Sequence, residues 1–252
     1  MLRGIYTSVS SMLTLEQKQN VTSNNIANAN TNGYKKEQLL SKSFEEVMVS
    51  NKDNYKNGKN YKQELGTMSF GVRVDETVTN HEQGGLKETN KSTDFALEGK
   101  GFFVVSDIEG NQYYTRDGAF KVNEDGLLIT QTGYAVVGNN GEPINVGDSE
   151  FKVSPYGEIV VDGQIQNKFA LVDFVDYETI DKVGNNLYAG GNPLPVSNNT
   201  LIKQGYIENS NIDITSETID MMSTLKEFEA NQKVIQTLDE LLGRAASEIG
   251  RI

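Results

Sequence analysis

The stretch that decides the fold reads Asn24-Asn25-Ile26-Ala27-Asn28-Ala29-Asn30-Thr31-Asn32-Gly33-Tyr34-Lys35. Asparagine is a poor helix former, so its repetition at the end of a helical pattern needs a physical reason. One reason is a helix C-terminus at which Asn32-Gly33 supplies the left-handed turn that stops the helix. A second is contact with an adjoining helix. The residues available for that contact are the amides of Asn24, Asn25 and Asn28, with Ala27 and Ala29 permitting close approach. We expect both reasons to hold.

The segment before this stretch predicts one helix over residues 2–29. Its apolar residues step by three and four, and the seam continues through polar positions in its middle. The apolar seam residues are Leu2, Ile5, Val9, Met12 and Ile26, and the polar ones are Glu16, Gln19 and Ser23. A helix of about 40 Å with so narrow a stripe is not stable alone, because helices in proteins depend on packing of an apolar face.

The other end of the chain predicts a second helix over residues 216–249. Steps of four and three alternate along it, which is the heptad spacing of a coiled-coil seam. The seam residues are Met221, Leu225, Phe228, Ile235, Leu242 and Ile249, interleaved with Gln232, Asp239 and Ala246. Thr215 and Ser216 are N-cap candidates. The N-terminal segment carries mostly basic charges and the C-terminal one mostly acidic charges, which favours the two as partners. Two solvated helix faces remain the alternative.

Between the helices the chain changes character twice. Residues 36–79 centre on an Asn/Lys/Gly/Tyr stretch at 51–62 that lacks apolar periodicity, so we predict an extended, mobile connecting loop. Residues 80–209 predict an antiparallel β-rich domain, because turn signals recur between short apolar runs. The turn signals are Asp107 to Gly110, Asp125-Gly126, Asn140-Gly141, Pro155 to Gly157 and Asp162-Gly163.

Two further patterns refine the β-rich domain. Residues 96–105 predict a strand with a glycine-bearing bend. Phe120-Lys121-Val122 before Gly126 to Ile129 resembles Phe151-Lys152-Val153 before Gly157 to Val160, and each unit reads as strand, turn, strand. We therefore predict repeated hairpins inside one β domain. The fold class is α+β: paired, coiled-coil-like terminal helices with an inserted antiparallel β-rich domain.

Composition excludes several function classes. The net charge of −12 argues against a nucleic-acid partner, which would require clustered Lys and Arg. The chain has no cysteine, and its one histidine, His81, lies in a turn-like context and is expected at the surface. No phosphate loop, nucleophile elbow or calcium loop is present. We expect no enzyme, no metal or cofactor, no direct membrane insertion and no cleaved signal peptide.

With these residues in view, the chain resembles the flagellar basal-body rod and hook family of bacterial axial proteins. The family's N-terminal signature is similar to the opening stretch, from which we take Asn24, Asn25, Ala27, Asn28, Asn30, Thr31, Gly33 and Tyr34 as assembly residues. Further matches are residues 94–103, Tyr114 to Phe120, Asn186-Leu187-Tyr188, Gly205 to Asp213 and the closing helix. They cover both ends and the middle in the family's order.

The resemblance implies a helical assembly domain of residues 1–35 and 210–252, with the loop at 36–79 and an outer β-rich domain at 80–209. It implies a subunit of a hollow helical shaft that transmits torque from motor to hook. Expected partners are copies of itself, other rod and hook proteins, and the flagellar type III export apparatus. The expected location is the basal body outside the cytoplasmic membrane.

The place within the axis is left open. The length of the 36–79 connection, the opening Met1 to Tyr6 and the Gly205-Tyr206 segment resemble distal-rod members, whereas Leu242 to Ala245 resembles proximal-rod members. We rank the distal rod first, the proximal rod second and a hook protein third. From other classes, a cell-wall glycan-binding module and a glycan hydrolase are weighed as rivals, and neither has a motif in its favour.

Overall fold

A computed structural model describes residues 2–56, 59–147, 150–161, 163–184, 186–196 and 200–250. For residues 2, 52–56, 59–61 and 249 it describes the backbone alone, so the side chains of the predicted seam residues Leu2 and Ile249 lie outside the described part. Asp162 of one turn signal also lies outside it. The chain forms two compact units: residues 1–26, 37–78 and 215–252 make the first, and residues 27–36 and 79–214 make the second.

The first unit contains two long helices and four strands. The helices are α1 (Leu2–Ala27) and α2 (Ile214–Ile249). The strands are β1 (Glu37–Ser43), β2 (Val47–Lys56), β3 (Lys59–Met68) and β4 (Val72–Thr79).

Both predicted helices are confirmed, and their ends differ from the prediction by two residues or fewer at each described terminus. Because α2 begins at Ile214, the proposed N-caps Thr215 and Ser216 lie inside its first turn. Neither helix meets the length and hydropathy needed to cross a membrane.

The two helices run antiparallel and touch along their length. A Cβ placed on Gly4 would lie 3.3 Å from Leu238 Cδ1, and the Asn231 amide donates to Ser11 Oγ at 3.2 Å. From Gly4 to Ser11 the chain advances seven residues along α1, and the contacted residue on α2 moves back by seven, from Leu238 to Asn231. The two helices are therefore antiparallel. Farther along, the Asn25 amide reaches the Glu217 carboxylate at 3.2 Å. The predicted pairing of the terminal helices is confirmed.

The seam between the helices differs from the predicted seam in every second position. Buried or half-buried residues follow a strict heptad rhythm on each helix. On α1 the residues that follow this rhythm are Ile5, Ser8, Met12, Leu15, Gln19, Thr22 and Ile26, although Ser10, Ser11, Thr14, Val21 and Asn25 are also buried or half-buried. On α2 they are Glu217, Met221, Thr224, Phe228, Asn231, Ile235, Leu238, Leu242 and Ala245. Of the residues predicted for the seam, Ile5, Met12, Ile26, Met221, Phe228, Ile235 and Leu242 are buried or half-buried. Val9 and Leu225 were wrong, because both are exposed.

The reason for the error at Val9 and Leu225 is that small polar residues, Ser8 and Thr224, occupy the seam beside them. The Thr22 hydroxyl donates to the carbonyl of Lys18, and the Thr224 hydroxyl donates to that of Asp220. A hydroxyl satisfied by its own helix can be buried at little cost. An apolar periodicity search passes over such positions and selects the exposed apolar residue beside them.

The prediction of a mobile loop over residues 36–79 was wrong. The segment forms β1 and β4, which pair with each other, and the antiparallel hairpin of β2 and β3. It belongs to the same unit as the helices, so the predicted domain boundaries at 35 and 79 do not separate it from them. Residues 62–68 of β3 are exposed on both faces of the ribbon. With no buried face, the sequence has no reason to alternate apolar and polar residues.

The second unit is built from short strands, as predicted. In chain order they are β5 (Leu86–Glu88), β6 (Phe95–Glu98), β7 (Phe102–Ser106), β8 (Gln112–Thr115), β9 (Lys121–Val122), β10 (Leu128–Ile129), β11 (Ala135–Val136), β12 (Phe151–Val153), β13 (Glu158–Val161), β14 (Gln164–Lys168), β15 (Leu171–Asp173), β16 (Ile180–Gly184), β17 (Leu187–Gly190), β18 (Leu194–Pro195), β19 (Leu201–Gln204) and β20 (Tyr206–Glu208). A short 3-10 helix spans Tyr177–Thr179.

Most of these strands join one antiparallel sheet. Its order in the described part of the chain is β16-β17-β8-β7-β11-β10-β9, and β15 pairs with both β7 and β18. A separate three-stranded sheet has the order β12-β13-β14, and two strand pairs join β19 to β6 and β20 to β5. Both predicted hairpins are confirmed, since β9 pairs with β10 and β12 pairs with β13.

Strand β7 lies at the centre of the core. Phe103 and Val105 contribute to one buried cluster, while Phe102 and Val104 contribute to a second. Because successive strand residues point to opposite faces, both faces of β7 are covered. This explains the uninterrupted apolar run in the sequence. The predicted glycine-bearing bend is confirmed at Gly99 and Gly101, which have φ of 117° and 125°.

Candidate assembly site

The asparagine-rich stretch forms the end of α1 and the tight turn that follows it. The helix ends at Ala27, two residues before the predicted end. The Thr31 amide donates to the carbonyl of Asn28 at 3.0 Å, and the Thr31 hydroxyl donates to the Asn28 side-chain oxygen at 3.2 Å. These two bonds close the turn. Asn28 and Thr31 therefore stabilise the turn within their own chain.

Gly33 supplies the left-handed conformation that the sequence predicts, with φ of 64°. Its backbone amide donates to the carbonyl of Glu208 at 2.7 Å. A Cβ at this position would lie 2.5 Å from the backbone carbon of Arg116 and 2.6 Å from the amide nitrogen of Asp117. Both the φ angle and the close backbone approach require glycine here.

Asn25 is the signature residue with the clearest role in the first unit. Its side chain is 1% exposed. The amide donates to the carbonyl of Glu37 at 2.8 Å, and the amide oxygen accepts from the Glu37 backbone N–H at 3.0 Å. The same amide donates to Glu217 of α2. One side chain thus joins α1, the start of β1 and the first turn of α2.

The remaining signature residues divide into two groups. Tyr34 is buried, and the Lys182 ammonium lies 3.7 Å from the centre of its ring. Asn24, Ala27 and Asn30 are exposed. Close packing at Ala27, which the sequence suggested, therefore does not occur within the single chain. The exposed residues form the part of the signature that can contact another molecule.

Lys35, the basic residue that ends the stretch, belongs to a buried ion cluster with Glu208 and Arg116. The Lys35 and Glu208 side chains are fully buried. Lys35 Nζ lies 2.5 Å from one Glu208 oxygen, and an Arg116 nitrogen lies 3.3 Å from the other. The ammonium also donates to the carbonyl of Glu82 at 2.7 Å, and the second Arg116 terminal nitrogen donates to that of Gly99 at 2.9 Å. The ion cluster ties the turn after α1 to β20.

The electrostatics of the ion cluster reflect its burial. Desolvation lowers the pKa of the Lys35 amine, while the Glu208 carboxylate opposes that shift. A charge that leaves water is tolerated when it is paired and its remaining hydrogen-bonding capacity is used. Glu208 meets this condition, because it also accepts from the Gly84 backbone N–H at 2.9 Å.

Two asparagines hold the same turn from other segments. Asn211 accepts from the Lys36 backbone N–H at 2.8 Å and donates to the carbonyl of Asn80 at 2.9 Å. Asn186, which has φ of 59°, donates to the carbonyl of Asn32 at 2.7 Å. Both residues lie in stretches on which the family resemblance rests. Asn211 and Asn186 lie more than 150 positions from Lys36 and Asn32. No local sequence pattern therefore predicts these bonds.

His81 was expected at the surface, and this was wrong. Its ring is half-buried and stacks on Tyr177 with centroids 4.7 Å apart, while Phe102 and Tyr188 lie at its edge. Its Nδ1 is buried and has no hydrogen-bond partner among the described residues. Desolvation, reinforced by Lys35, Arg116 and Lys182, lowers the pKa of His81 to about 4. The ring is neutral at pH 7.

Asp117 is a second perturbed group beside the turn. Desolvation raises the pKa of its carboxyl to about 6, although the carboxylate accepts from the Ala119 backbone N–H. Nearby Asp94 adds to the shift. Among the described residues, no group of three or more His, Cys, Asp or Glu side chains is placed to hold a metal ion.

The outer faces of the helix pair carry large exposed apolar residues, although several positions of the seam are polar. On α1, Tyr6, Val9 and Leu13 are exposed at spacings of three and four. The exposed apolar residues of α2 are Ile214, Ile219, Met222, Leu225, Val234 and Leu241. The helix pair is thus partly inverted: Ser8, Thr22 and Thr224 are buried while large apolar side chains face outward. Clusters of exposed apolar side chains, such as Tyr6, Val9 and Leu13 on one face of α1, indicate interaction surfaces.

Comparisons with known proteins agree with this arrangement. Residues 5–35 match the family described as flagella basal body rod protein. Residues 96–166 match the flagellar hook protein FlgE/F/G D1 domain, and residues 203–248 match the flagellar basal body rod FlgEFG protein C-terminal family. Terminal helices with an inserted β-rich unit, matched in this order, define a flagellar axial protein.

Curated relatives extend the similarity over the whole chain. The flagellar basal-body rod protein FlgG of Buchnera aphidicola subsp. Schizaphis graminum is 32% identical, covering 96% of this chain and 98% of the relative. The flagellar hook-basal body complex protein FlhO of Bacillus subtilis is 34% identical over the full length of both. The flagellar basal-body rod protein FlgF of Caulobacter vibrioides is 31% identical over 99% and 98%. The chain belongs to the family of flagellar basal-body rod proteins, which are structural proteins.

Proposed function

We propose that this rod protein polymerises with copies of itself into a hollow helical shaft that transmits torque from the motor to the hook. The observation that carries the proposal is the inverted helix pair. Small polar side chains interrupt the seam within one chain at Ser8, Thr22 and Thr224, and several large apolar side chains lie on the outside. A pair built in this way leaves apolar surface exposed in the single chain, and covering that surface with another copy is favourable.

The size of the gain supports polymerisation over a monomeric role. Ile219 and Met222 of α2 are 61% and 54% exposed in the single chain. Complete burial of one such side chain contributes about 1.5–3 kcal/mol. Contacts of this kind, repeated by every copy along a shaft, are sufficient to hold subunits together even if each contact is modest.

The test replaces Ile219 and Met222 with serine. We expect the purified variant to keep its circular dichroism spectrum and to lose polymerisation, because both side chains lie outside the seam. The matched control replaces Ile108 and Val175, which are 103% and 86% exposed in the second unit, with serine. Undiminished polymerisation of the α2 variant, measured by sedimentation and electron microscopy, would count against the proposal.

Within the axis we propose the distal rod, with the proximal rod as the alternative. The opening residues, the Gly205-Tyr206 segment and the length of the 36–79 connection support the distal position. That connection contributes the extended ribbon of β2 and β3. Deleting the gene and imaging isolated basal bodies tests the position: a distal subunit leaves a shortened rod, whereas a proximal subunit leaves none.

We further propose that other rod and hook proteins and the flagellar type III export apparatus are its partners, and that it reaches the basal body outside the cytoplasmic membrane without a cleaved signal. The absence of cysteine supports passage into an oxidising compartment, because no unwanted disulfide can form. Mass spectrometry of the protein in isolated basal bodies tests the last point, since an intact residue 1–10 peptide is expected.

A further inference from the structure

The sulfur atoms of this chain are confined to the first unit. The chain has six methionines and no cysteine. All six methionines lie within residues 1–26, 37–78 and 215–252, which make the first unit, and residues 27–36 and 79–214 contain none. Methionine and cysteine are the side chains that oxidants convert stepwise to polar products. Oxidation at sulfur therefore alters the first unit and leaves the second unit unmodified.

Three of the methionines are exposed in the single chain. Met48, Met68 and Met222 are 51%, 47% and 54% exposed. Met12 and Met221 are half-buried in the seam of the helix pair. Because an oxidant must reach the thioether, exposed methionines react before buried ones. The first sites of oxidation are therefore on the surface of the first unit.

Met222 differs from the other two exposed methionines in its neighbours. Ile219, also exposed, lies three residues before it on α2, so the two side chains share one face of the helix. Met48 and Met68 lie on opposite faces of the ribbon, because Val47, the residue before Met48, pairs with Met68. Among the described side chains, Met222 is the exposed methionine that belongs to the outer face of the helix pair.

Oxidation changes the character of this face. With hydrogen peroxide, the O–O bond breaks and an S–O bond forms at the Met222 sulfur, while the second oxygen leaves as water. The sulfur loses two electrons and the peroxide gains them. The product, methionine sulfoxide, is polar and chiral, and it disrupts contacts that depend on a flexible apolar side chain.

We propose that Met222 is an oxidation site that controls the addition of subunits, because its sulfoxide blocks the outer face of α2. The oxidant is a peroxide. The reductant is a dithiol acting through a methionine sulfoxide reductase, and this step returns the thioether, a disulfide and water. The inference rests on the proposed polymerisation, since it assigns a modification to a face that polymerisation is expected to cover.

The state of assembly decides when the oxidation acts. Met222 is accessible in the single chain, whereas a second copy that covers the outer face of α2 shields its sulfur. Oxidation therefore stops subunits that have not yet been added and spares those already within the shaft. Reduction of the sulfoxide returns the stopped subunits to assembly.

Graded hydrogen peroxide treatment of the purified full-length chain tests the site. Tandem mass spectrometry distinguishes Met222 from its half-buried neighbour Met221. We expect Met222 to be oxidised faster than Met221 in the monomer, and more slowly in the polymer than in the monomer. At the dose that oxidises Met222, the concentration of free subunit needed for polymerisation should rise about tenfold or more, because each addition loses an apolar contact.

Variants separate Met222 from the other methionines. Met222→Leu keeps an apolar side chain of similar volume without the thioether, so it should polymerise before and after treatment. Met221→Leu is the matched control, because it removes the adjacent sulfur and should stay as sensitive as the wild type. The double variant Met48→Leu and Met68→Leu should also stay sensitive.

A further variant needs no oxidant. Met222→Gln replaces the thioether by a polar side chain of similar length, in imitation of the sulfoxide. It should keep the circular dichroism spectrum of the wild type and should need about tenfold or more free subunit to polymerise. Treating the oxidised wild type with methionine sulfoxide reductases for both sulfoxide epimers and dithiothreitol should restore polymerisation.

The outcomes separate this inference from the proposed function. Loss of polymerisation in the oxidised wild type, its retention in oxidised Met222→Leu and its recovery after reduction support the site. Equal loss in oxidised Met222→Leu, or normal polymerisation of Met222→Gln, overturns it. Normal polymerisation of wild type whose Met222 is oxidised also overturns it, as does continued loss after the thioether is restored. Failure of the untreated wild type to polymerise contradicts the proposed function itself.

Discussion

At the scale of single residues, the ion cluster of Lys35, Glu208 and Arg116 is the most informative feature. It joins the turn after α1 to the last strand before α2 in a region from which water is excluded. A buried ion pair adds little over an apolar pair of the same shape, but removing one partner leaves a charge without compensation. The ion cluster therefore makes the second unit sensitive to change at any one of its members.

Lys35→Met should destabilise the second unit by about 3–5 kcal/mol, because it leaves Glu208 buried with one cation. The matched control is Lys203→Met, which removes the exposed pair of Lys203 with Glu98 at 3.0 Å. The control should cost less than about 1 kcal/mol. Urea unfolding followed by tyrosine fluorescence measures both. Equal losses would show that the ion cluster is not buried as described.

His81 predicts a dependence of stability on pH. Its pKa is about 4 in the folded chain and 6.5 when unfolded, so the unfolded state binds more protons between these values. The stability contributed by the neutral ring is complete above pH 6.5 and is lost as the pH falls towards 4. His81→Gln should flatten the rise in unfolding free energy across that window, and an unchanged slope would contradict this.

Asp117 predicts the opposite dependence of stability on pH. Its pKa is about 6 when folded and 3.8 when unfolded, so the folded state binds more protons between these values. Its contribution is complete below pH 3.8 and is lost as the pH rises through 6. Asp117→Asn should therefore increase stability at pH 7 by about 1–3 kcal/mol and have little effect at pH 3.5. A stability gain of the same size at both pH values would contradict the raised pKa.

Sequence reasoning identified residues here only where a local signal exists. The left-handed Gly33 follows from the Asn-Gly pair and the turn it makes. Glu208 and Arg116, in contrast, lie 173 and 81 positions from Lys35, and no periodicity connects them. His81 was misplaced for the same reason, because the aromatic rings that cover it come from three distant segments.

At the scale of elements, the helix pair shows what heptad spacing determines and what it leaves undecided. Spacing predicted both helices correctly, and about half of the positions that it proposed for the seam are buried or half-buried. It could not choose between adjacent candidates, because Ser8 and Val9 both lie near the required angle and only the partner helix decides which is buried. The hairpin of β2 and β3 was missed because its middle, at residues 51–64, is polar and has no alternation to detect.

The seam seen in the structure predicts different effects for two apolar residues of α1. Leu15 is 8% exposed in the seam, whereas Val9 is 40% exposed outside it. Leu15→Ala should lower the stability of the helix pair in the monomer by about 2 kcal/mol or more, and Val9→Ala by about 0.5 kcal/mol or less. Thermal loss of the helical circular dichroism signal measures both. A larger loss of stability for Val9→Ala than for Leu15→Ala would instead support the seam predicted from the sequence.

At the scale of the whole molecule, the two units differ in how they are held together. The second unit has a continuous aromatic core around β7 and the buried ion cluster. The helices of the first unit bury few large apolar residues and expose many. Elements with few buried apolar contacts open at low free energy. The helices are therefore expected to be marginal in the monomer and to become stable when other copies cover them.

Hydrogen exchange with mass spectrometry, on dilute monomer and on polymer, tests this central claim most directly. We expect the amides of α1 and α2 to exchange rapidly in the monomer and slowly in the polymer, while those of β7 and its neighbours remain protected in both states. The β strands serve as the internal control. Strong protection of both helices in dilute monomer, unchanged on assembly, would contradict the account.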